Sequence, residues 1–124
     1  MTLALKDQDR EHPIADAWRP MLRDVVRCFV AGDYALSSGV AGVEPVSTED
    51  AQHIRESIEG YGATLIELPD DAWRTSVAQW CGSHWDILVD LWTVEEGCSD
   101  LVLQGRVCES NGGIRFRIHL VYVP

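Results

Sequence analysis

The first regular pattern in the chain is a helical one. Apolar residues recur three and four positions apart, as on one face of a helix, at Ile14, Ala17, Trp18, Met21, Leu22, Val25, Val26, Phe29 and Val30. Because Pro20 cannot lie deep inside a helix, we expect the regular helix to begin near it, after a turn or kink. Gly32 is expected to end this helix as its C-terminal cap.

A second helix is predicted after a long loop. Residues 33–46 have no sustained period, so they form a loop that other parts of the protein must hold in place. Ser47 caps the next helix, with Asp50 three residues further on. The apolar stripe of this helix is narrow and consists of Ala51, Ile54, Ile58 and Tyr61.

After Gly62 the apolar period changes to two, which is typical of β-strands. A short strand is predicted at 63–68 and longer strands at 73–80, 85–93, 100–109 and 114–123. Turn signals separate the longer strands: Gly82-Ser83, Glu95-Glu96-Gly97 and Asn111-Gly112. The predicted fold is α+β, with two N-terminal helices packed on one face of a curved antiparallel sheet in the order α-α-β-β-β-β-β.

The chain length is that of one domain. Its 124 residues allow a single hydrophobic core. Residues 1–12 are polar and mostly acidic, and they are expected to form a flexible arm. Residues 13–124 are expected to form the single α+β domain.

The three turns predict which strand residues are neighbours, because a short turn fixes the register. Asn111-Gly112 places Arg106 opposite Arg117 and, further along, Gln104 opposite His119. One face of the sheet is then apolar and is expected to lie under the helices; it carries Trp80, Trp85, Ile87, Val89, Leu91, Leu101, Leu103, Phe116, Ile118, Leu120 and Tyr122.

The opposite face, which we call the second face, carries an apolar patch at one end and charges at the other. Such a patch is too large for a sheet surface that faces water, so it is expected to be covered by a partner, a second copy of the chain or the chain's own loop 33–46. The charged border consists of Asp86, Arg106 and Arg117. The predicted partner-binding residues are Trp73, Val77, Leu88, Asp90, Trp92, Val102, His119 and Val121.

Charge and cysteine content narrow the function classes. Twenty acidic against ten basic residues give a net charge of −10, which argues against nucleic-acid and anionic membrane partners. With neither a signal peptide nor an apolar run of about 20 residues, we expect a cytoplasmic protein. Its four cysteines have no zinc-ligand spacing and are expected to be free thiols, so no metal and no cofactor is predicted.

The sequence gives little indication of a catalytic site. His84 and His119 are candidate acid–base groups, and His119 could approach Asp90 diagonally across the sheet. No serine or cysteine is placed beside them as a nucleophile, and Asp86 is expected to meet an arginine. No known catalytic or nucleotide-binding motif occurs, so the residues favour a non-enzymatic protein without excluding an enzyme.

Two resemblances add to this picture. The segment VVRCFVAGDY at Val25–Tyr34, followed by the strands within 85–123, resembles the cystatin-like or nuclear-transport-factor-like α+β cone. That resemblance implies either a binding domain or an isomerase or dehydratase with Asp, His or Tyr inside the cone, whereas the inward positions here are apolar. In size and charge, the chain is also similar to bacterial immunity proteins, which neutralise a partner toxin.

Three functions therefore remain open. The first is a non-enzymatic acidic protein-binding domain, with an immunity-type inhibitor as its most specific form. The second is a cone-shaped domain that binds or converts a small ligand. The third is a homodimer that associates through the second face.

Overall fold

The computed structural model describes all residues from Met1 to Pro124, and it has the predicted α+β architecture. Two helices, α1 (Arg19–Val30) and α2 (Thr48–Tyr61), precede most of an antiparallel six-stranded sheet. Neither helix is both long and apolar enough to cross a membrane. The strands are β1 (His12–Pro13), β2 (Leu65–Ile66), β3 (Val77–Trp80), β4 (Trp85–Thr93), β5 (Gly97–Ser110) and β6 (Gly113–Tyr122).

Local chemistry sets the helix ends as predicted. Pro20 lies in the first turn of α1, directly after a short 3-10 helix at Asp16–Trp18. The Ser47 hydroxyl accepts a hydrogen bond from the Asp50 N–H at 3.0 Å and so caps α2. Gly62 ends α2 in a left-handed conformation with φ 84°, which a side chain would disfavour.

The sheet order is β1-β3-β4-β5-β6, and β2 pairs with the far end of β4. The predicted turn at Gly82-Ser83 is confirmed by the pairing of Trp80 with Trp85. The turn at Asn111-Gly112 is confirmed by the pairing of Ser110 with Gly113. At these two turns the predicted neighbours are therefore correct, whereas the third turn lies one residue earlier than predicted, at 94–96, since Thr93 pairs with Gly97.

One β-bulge changes the register further along β6. Gly105 pairs with Ile118, as predicted, but Gln104 pairs with Leu120 and leaves His119 without a partner residue. The predicted pairing of Gln104 with His119 is therefore wrong. Because one extra residue reverses the facing of all residues beyond it, Leu120 and Tyr122 leave the core face and Val121 enters it.

The predicted strand at 73–80 is wrong in its first half. Residues Asp70–Arg74 form a 3-10 helix, and β3 begins only at Val77. The Ser76 hydroxyl accepts the N–H of Asp90 at 3.2 Å, so it occupies the edge of β4 between β2 and β3. Consequently Trp73 lies outside the sheet, and Trp92 pairs with Ile66 of β2.

The core lies between the helices and the inner face of the sheet. The most buried residues of α1, Leu22, Val25 and Val26, share one cluster with Ile87 and Leu103 of the sheet. The loop 33–46 contributes Leu36 and Val43 to the same cluster. This loop is held by the outer edge of β6, where the Phe116 N–H donates to the Gly42 carbonyl at 2.7 Å.

The expected flexible arm, residues 1–12, is fastened to the domain at several points. The Trp85 indole N–H donates to the Leu5 carbonyl at 3.0 Å. The Asp16 N–H donates to the Thr2 carbonyl, and the Thr2 N–H donates to the Asp16 carboxylate, both at 2.9 Å. The arm thus closes the end of the core where Trp85 lies, a role that its polar composition does not indicate.

Candidate functional site

The second face of the sheet carries two apolar rows. The first row crosses β3, β4 and β6 through Val77, Leu88 and Leu120, with Gln104 of β5 between the last two. In the second row, Val102 of β5 lies between Asp90 and Tyr122. Both helices pack on the other face, so the second face has no helix over it.

Burial along these rows is uneven. Val102, in the central strand β5, is only 6% exposed, whereas Leu120 at the edge of the sheet is 37% exposed. Val77, Leu88 and Tyr122 are half-buried. These residues therefore form a contiguous apolar surface with a dense centre and an accessible edge.

Trp92 extends the apolar surface toward the turn between β4 and β5. A Cβ atom placed on Gly97 would lie 3.5 Å from the Trp92 ring, so the indole packs over that glycine. The Trp92 Nε1 atom is shielded from solvent and has no hydrogen-bond partner. Donors of this kind are uncommon in folded proteins, because leaving one unpaired is unfavourable.

Two predicted members of the patch lie elsewhere. Trp73 belongs to the 3-10 helix and is buried in the core, with the guanidinium groups of Arg19 and Arg23 within 5.7 Å of its ring centroid. Val121 is 3% exposed and lies in the core because of the bulge at His119. The apolar surface therefore consists of Val77, Leu88, Trp92, Val102, Leu120 and Tyr122.

Charged residues occupy the other end of the second face, at the predicted positions. Asp86 lies beside Arg106, with the Arg106 Nε atom 3.7 Å from the Asp86 Oδ1 atom, and Arg117 is paired with Arg106 across the strands. Arg115 and Arg117 have no carboxylate within 4.0 Å, whereas every other lysine and arginine of the chain has one. The two basic side chains without an acidic partner thus lie two residues apart on β6.

The predicted approach of His119 to Asp90 is not seen as a contact. No hydrogen bond or ion pair joins them. The His119 imidazole lies nearer to Arg106 and Arg117, and partial burial together with these two cations lowers its pKa from the ordinary value of 6.5. His119 is therefore a neutral imidazole near pH 7, without an acidic partner to orient it.

This lowered pKa predicts a loss of stability on mild acidification. The unfolded chain binds a proton at His119 more tightly than the folded protein does, so the stabilisation is complete above about pH 6.5 and decreases as the pH falls. We expect the melting temperature of His119→Asn to fall less between about pH 7.5 and 5.5 than that of the wild type. The lowered carboxyl pKa values of Asp7, Asp16 and Glu95 act only at lower pH. Equal slopes for both proteins would contradict the assignment.

A second cluster, which the sequence did not predict, lies at the turn between β3 and β4. The Cys81 Sγ atom is 3.4 Å from the Asp86 Oδ2 atom, and the His84 Nε2 atom is 3.3 Å from the Asp86 Oδ1 atom. The Ser83 hydroxyl lies 2.9 Å from the other ring nitrogen of His84. The spacing between cysteines could not reveal this cluster, because only one of its members is a cysteine. The pattern Cys-x-x-His-x-Asp across the predicted two-residue turn could have revealed it.

The four cysteines are free in the structure. Burial and the nearby Asp86 raise the pKa of the Cys81 thiol, and burial also raises those of Cys28 and Cys98. Titration of denatured, freshly purified protein without reductant should therefore count four thiols. A count of two or fewer would show that a disulfide forms.

The interior of the domain offers no acid or base. Its buried polar residues are Ser76, Thr93 and Ser99, and each has a hydrogen bond. The Ser99 hydroxyl, for example, donates to the Leu91 carbonyl at 2.8 Å and accepts the Leu101 N–H at 3.1 Å, which secures an irregularity in β5. Titratable groups are confined to the surface and to the two clusters described above.

Comparison with known proteins gives one result. Residues 26–124, which include α2, five of the six strands and the last five residues of α1, match the family described as Domain of unknown function (DUF7668). The chain belongs to the DUF7668 family. No curated protein and no solved structure matches it. The match covers the whole second face and both side-chain clusters, and it excludes the N-terminal arm.

Proposed function

We propose that this DUF7668 protein is a non-enzymatic protein-binding domain that docks its partner on the second face. The observation that carries the proposal is the apolar surface on the sheet face opposite the helices, whose accessible edge is Leu120, 37% exposed, and whose buried centre is Val102. Such a surface is unfavourable in water, at about 25 cal/mol for each Å² of apolar area, and a partner that buried it would recover that energy. The interior supplies no acid–base group for catalysis.

The shape of the surface fits a docking role. Trp92, Leu120 and Tyr122 are large side chains on this face, and aromatic and large apolar residues are the usual anchors of protein interfaces.

Charge indicates what the partner presents. Arg115 and Arg117 lack carboxylate partners, so the contact surface of the partner should carry acidic side chains beside its apolar ones. The net charge of −10 acts at longer range and would accelerate the encounter with a partner of net positive charge. A basic toxin neutralised by an immunity-type inhibitor is the most specific form of this proposal.

Co-expression with the products of the adjacent genes tests the proposal. We expect one of these products to form a complex with the wild-type protein and Leu120→Asp to weaken that complex at least tenfold, as measured by calorimetry. Val94→Asp is the matched control, since Val94 is an exposed apolar residue in the turn between β4 and β5. The control should bind as the wild type does.

Other outcomes would reject this proposal. A complex that is equally stable with Leu120→Asp and Val94→Asp would place the interface elsewhere. A dimer of the isolated protein that Leu120→Asp dissociates, observed by sedimentation, would favour the homodimer instead.

A cone-type ligand-binding function has one observation in its favour. Asp50, His53 and Ser57 of α2 and His119 and Tyr122 of β6 line a groove of about 410 Å³. A small polar ligand bound there would shift the NMR signals of both histidines. Turnover of hydrolase or isomerase substrates that disappears in His119→Ala would establish an enzyme and overturn the non-enzymatic proposal.

A further inference from the structure

We infer that Cys81, His84 and Asp86 form a binding site for Zn²⁺ at the turn between β3 and β4. One sulfur, one imidazole nitrogen and one carboxylate oxygen from these residues all lie within 4.8 Å of one another. A thiolate, an imidazole and a carboxylate are the three kinds of side-chain ligand that Zn²⁺ takes in proteins. This inference is independent of the proposed docking function.

The distances fit tetrahedral coordination with small movements. With ordinary zinc–ligand bond lengths, neighbouring ligand atoms lie about 3.4 to 3.6 Å apart. The His84 Nε2 atom is already 3.3 Å from one Asp86 oxygen, Oδ1, and the Cys81 Sγ atom is 3.4 Å from the other, Oδ2. Side-chain rotation must bring the sulfur and the imidazole nitrogen toward each other and toward one shared carboxylate oxygen.

The backbone holds the ligands in this arrangement. The Cys81 N–H donates to the His84 carbonyl at 2.8 Å, which closes the two-residue turn between them. Gly82 has φ 90°, a conformation suited to glycine, and so it permits this tight turn. Asp86 follows two residues after His84 on β4, and therefore all three ligands belong to one rigid hairpin end.

The surroundings of the cluster also suit a metal. If His84 binds the metal through Nε2, its Nδ1–H donates to the Ser83 hydroxyl 2.9 Å away, as the second nitrogen of a metal-bound histidine commonly does. The Arg106 Nε atom lies beside Asp86, 3.7 Å from its Oδ1 atom. The cluster is partly open to solvent, which leaves a fourth position for water.

Binding of Zn²⁺ at this site would change the protonation of its ligands. Without metal, the Cys81 Sγ atom and the His84 Nε2 atom both face the Asp86 carboxylate. When Zn²⁺ binds, the Cys81 thiol releases its proton to solvent and His84 coordinates the ion through Nε2 with any ring proton on Nδ1. Thiolate and carboxylate then balance the two positive charges of the ion. Binding should therefore weaken about tenfold for each pH unit below neutrality.

Cobalt, a spectroscopic substitute for zinc, tests the site in the full-length protein. One equivalent of Co²⁺ should produce a thiolate-to-metal absorption band in the near ultraviolet, and one equivalent of Zn²⁺ should abolish it. Cys81→Ser and His84→Asn should each reduce the band at least tenfold. Cys98→Ser is the matched control, because Cys98 is an exposed cysteine at the other end of the sheet, and it should leave the band unchanged.

Circular dichroism of each variant verifies that the fold is retained, since both ligands substituted lie at the turn rather than in the core. A band that persists in Cys81→Ser, or that disappears in Cys98→Ser, would overturn the assignment. The absence of any band in the folded wild-type protein with one equivalent of Co²⁺ would also overturn it.

Discussion

Gly105→Ala is expected to destabilise the protein by about 3 kcal/mol, a large share of the stability of a domain this size. Gly105 lies in the middle of β5, and a Cβ atom there would be 2.6 Å from the carbonyl oxygen of Arg117 and still closer to the Phe116 ring. Phe116 is fully buried, and its backbone also holds the loop 33–46. Neither the ring nor the neighbouring strand can move away without loss of packing.

Urea unfolding followed by tryptophan fluorescence measures this effect. Gly113→Ala is the matched control, since its Cβ would meet only the Ser110 carbonyl oxygen at an ordinary 3.8 Å. We expect the control to change the free energy of unfolding by less than about 0.5 kcal/mol. If the two variants unfolded at the same urea concentration, the close packing of Phe116 over Gly105 would be wrong.

Aspartate substitutions at two adjacent residues are expected to have opposite outcomes. Val121→Asp places a carboxylate in the core, where Val121 is 3% exposed, and should destabilise the protein by about 4 kcal/mol or more. Leu120→Asp places the same group on the 37% exposed edge of the second face and should change the stability by less than about 1 kcal/mol.

Thermal unfolding of the two variants tests the bulge at His119 directly. A regular β5–β6 ladder would put Leu120 in the core and Val121 on the second face. In that case Leu120→Asp would be the variant that unfolds. The comparison also shows whether Leu120 is suitable for binding experiments, because a variant used there must keep its fold.

Predictions about the second face were correct along the regular parts of the strands and wrong beside the irregularities. The pairs Asp86–Arg106 and Arg106–Arg117 occur as predicted, whereas beside the turn between β4 and β5 Thr93 pairs with Gly97, a residue that was predicted to belong to the turn. Beyond Gly105 the residues Leu120, Val121 and Tyr122 form a continuous apolar run. In such a run an apolar residue faces the core whichever way the strand is turned. The sequence pattern therefore could not reveal the extra residue of the bulge.

Trp73 shows a different limit of the sequence pattern. It follows Asp70 and Asp71 and precedes an alternating segment, which favours a strand, yet it lies in a 3-10 helix against α1. The packing of the indole below Arg19 and Arg23 decides its position, and these arginines are about fifty residues away in the chain. Contacts between distant residues are not contained in a local period.

The sequence by itself determined the fold class, the ends of both helices and two of the turns, since proline, serine and glycine act on the backbone within a few residues. Only the tertiary structure decided which face Val121 joins, where Trp73 packs and how the N-terminal arm is held. It also decided that Cys81 and His84 both meet Asp86, although the turn that joins them was predicted. These outcomes depend on side-chain packing and strand irregularities, whose energies are set by neighbours that local patterns do not specify.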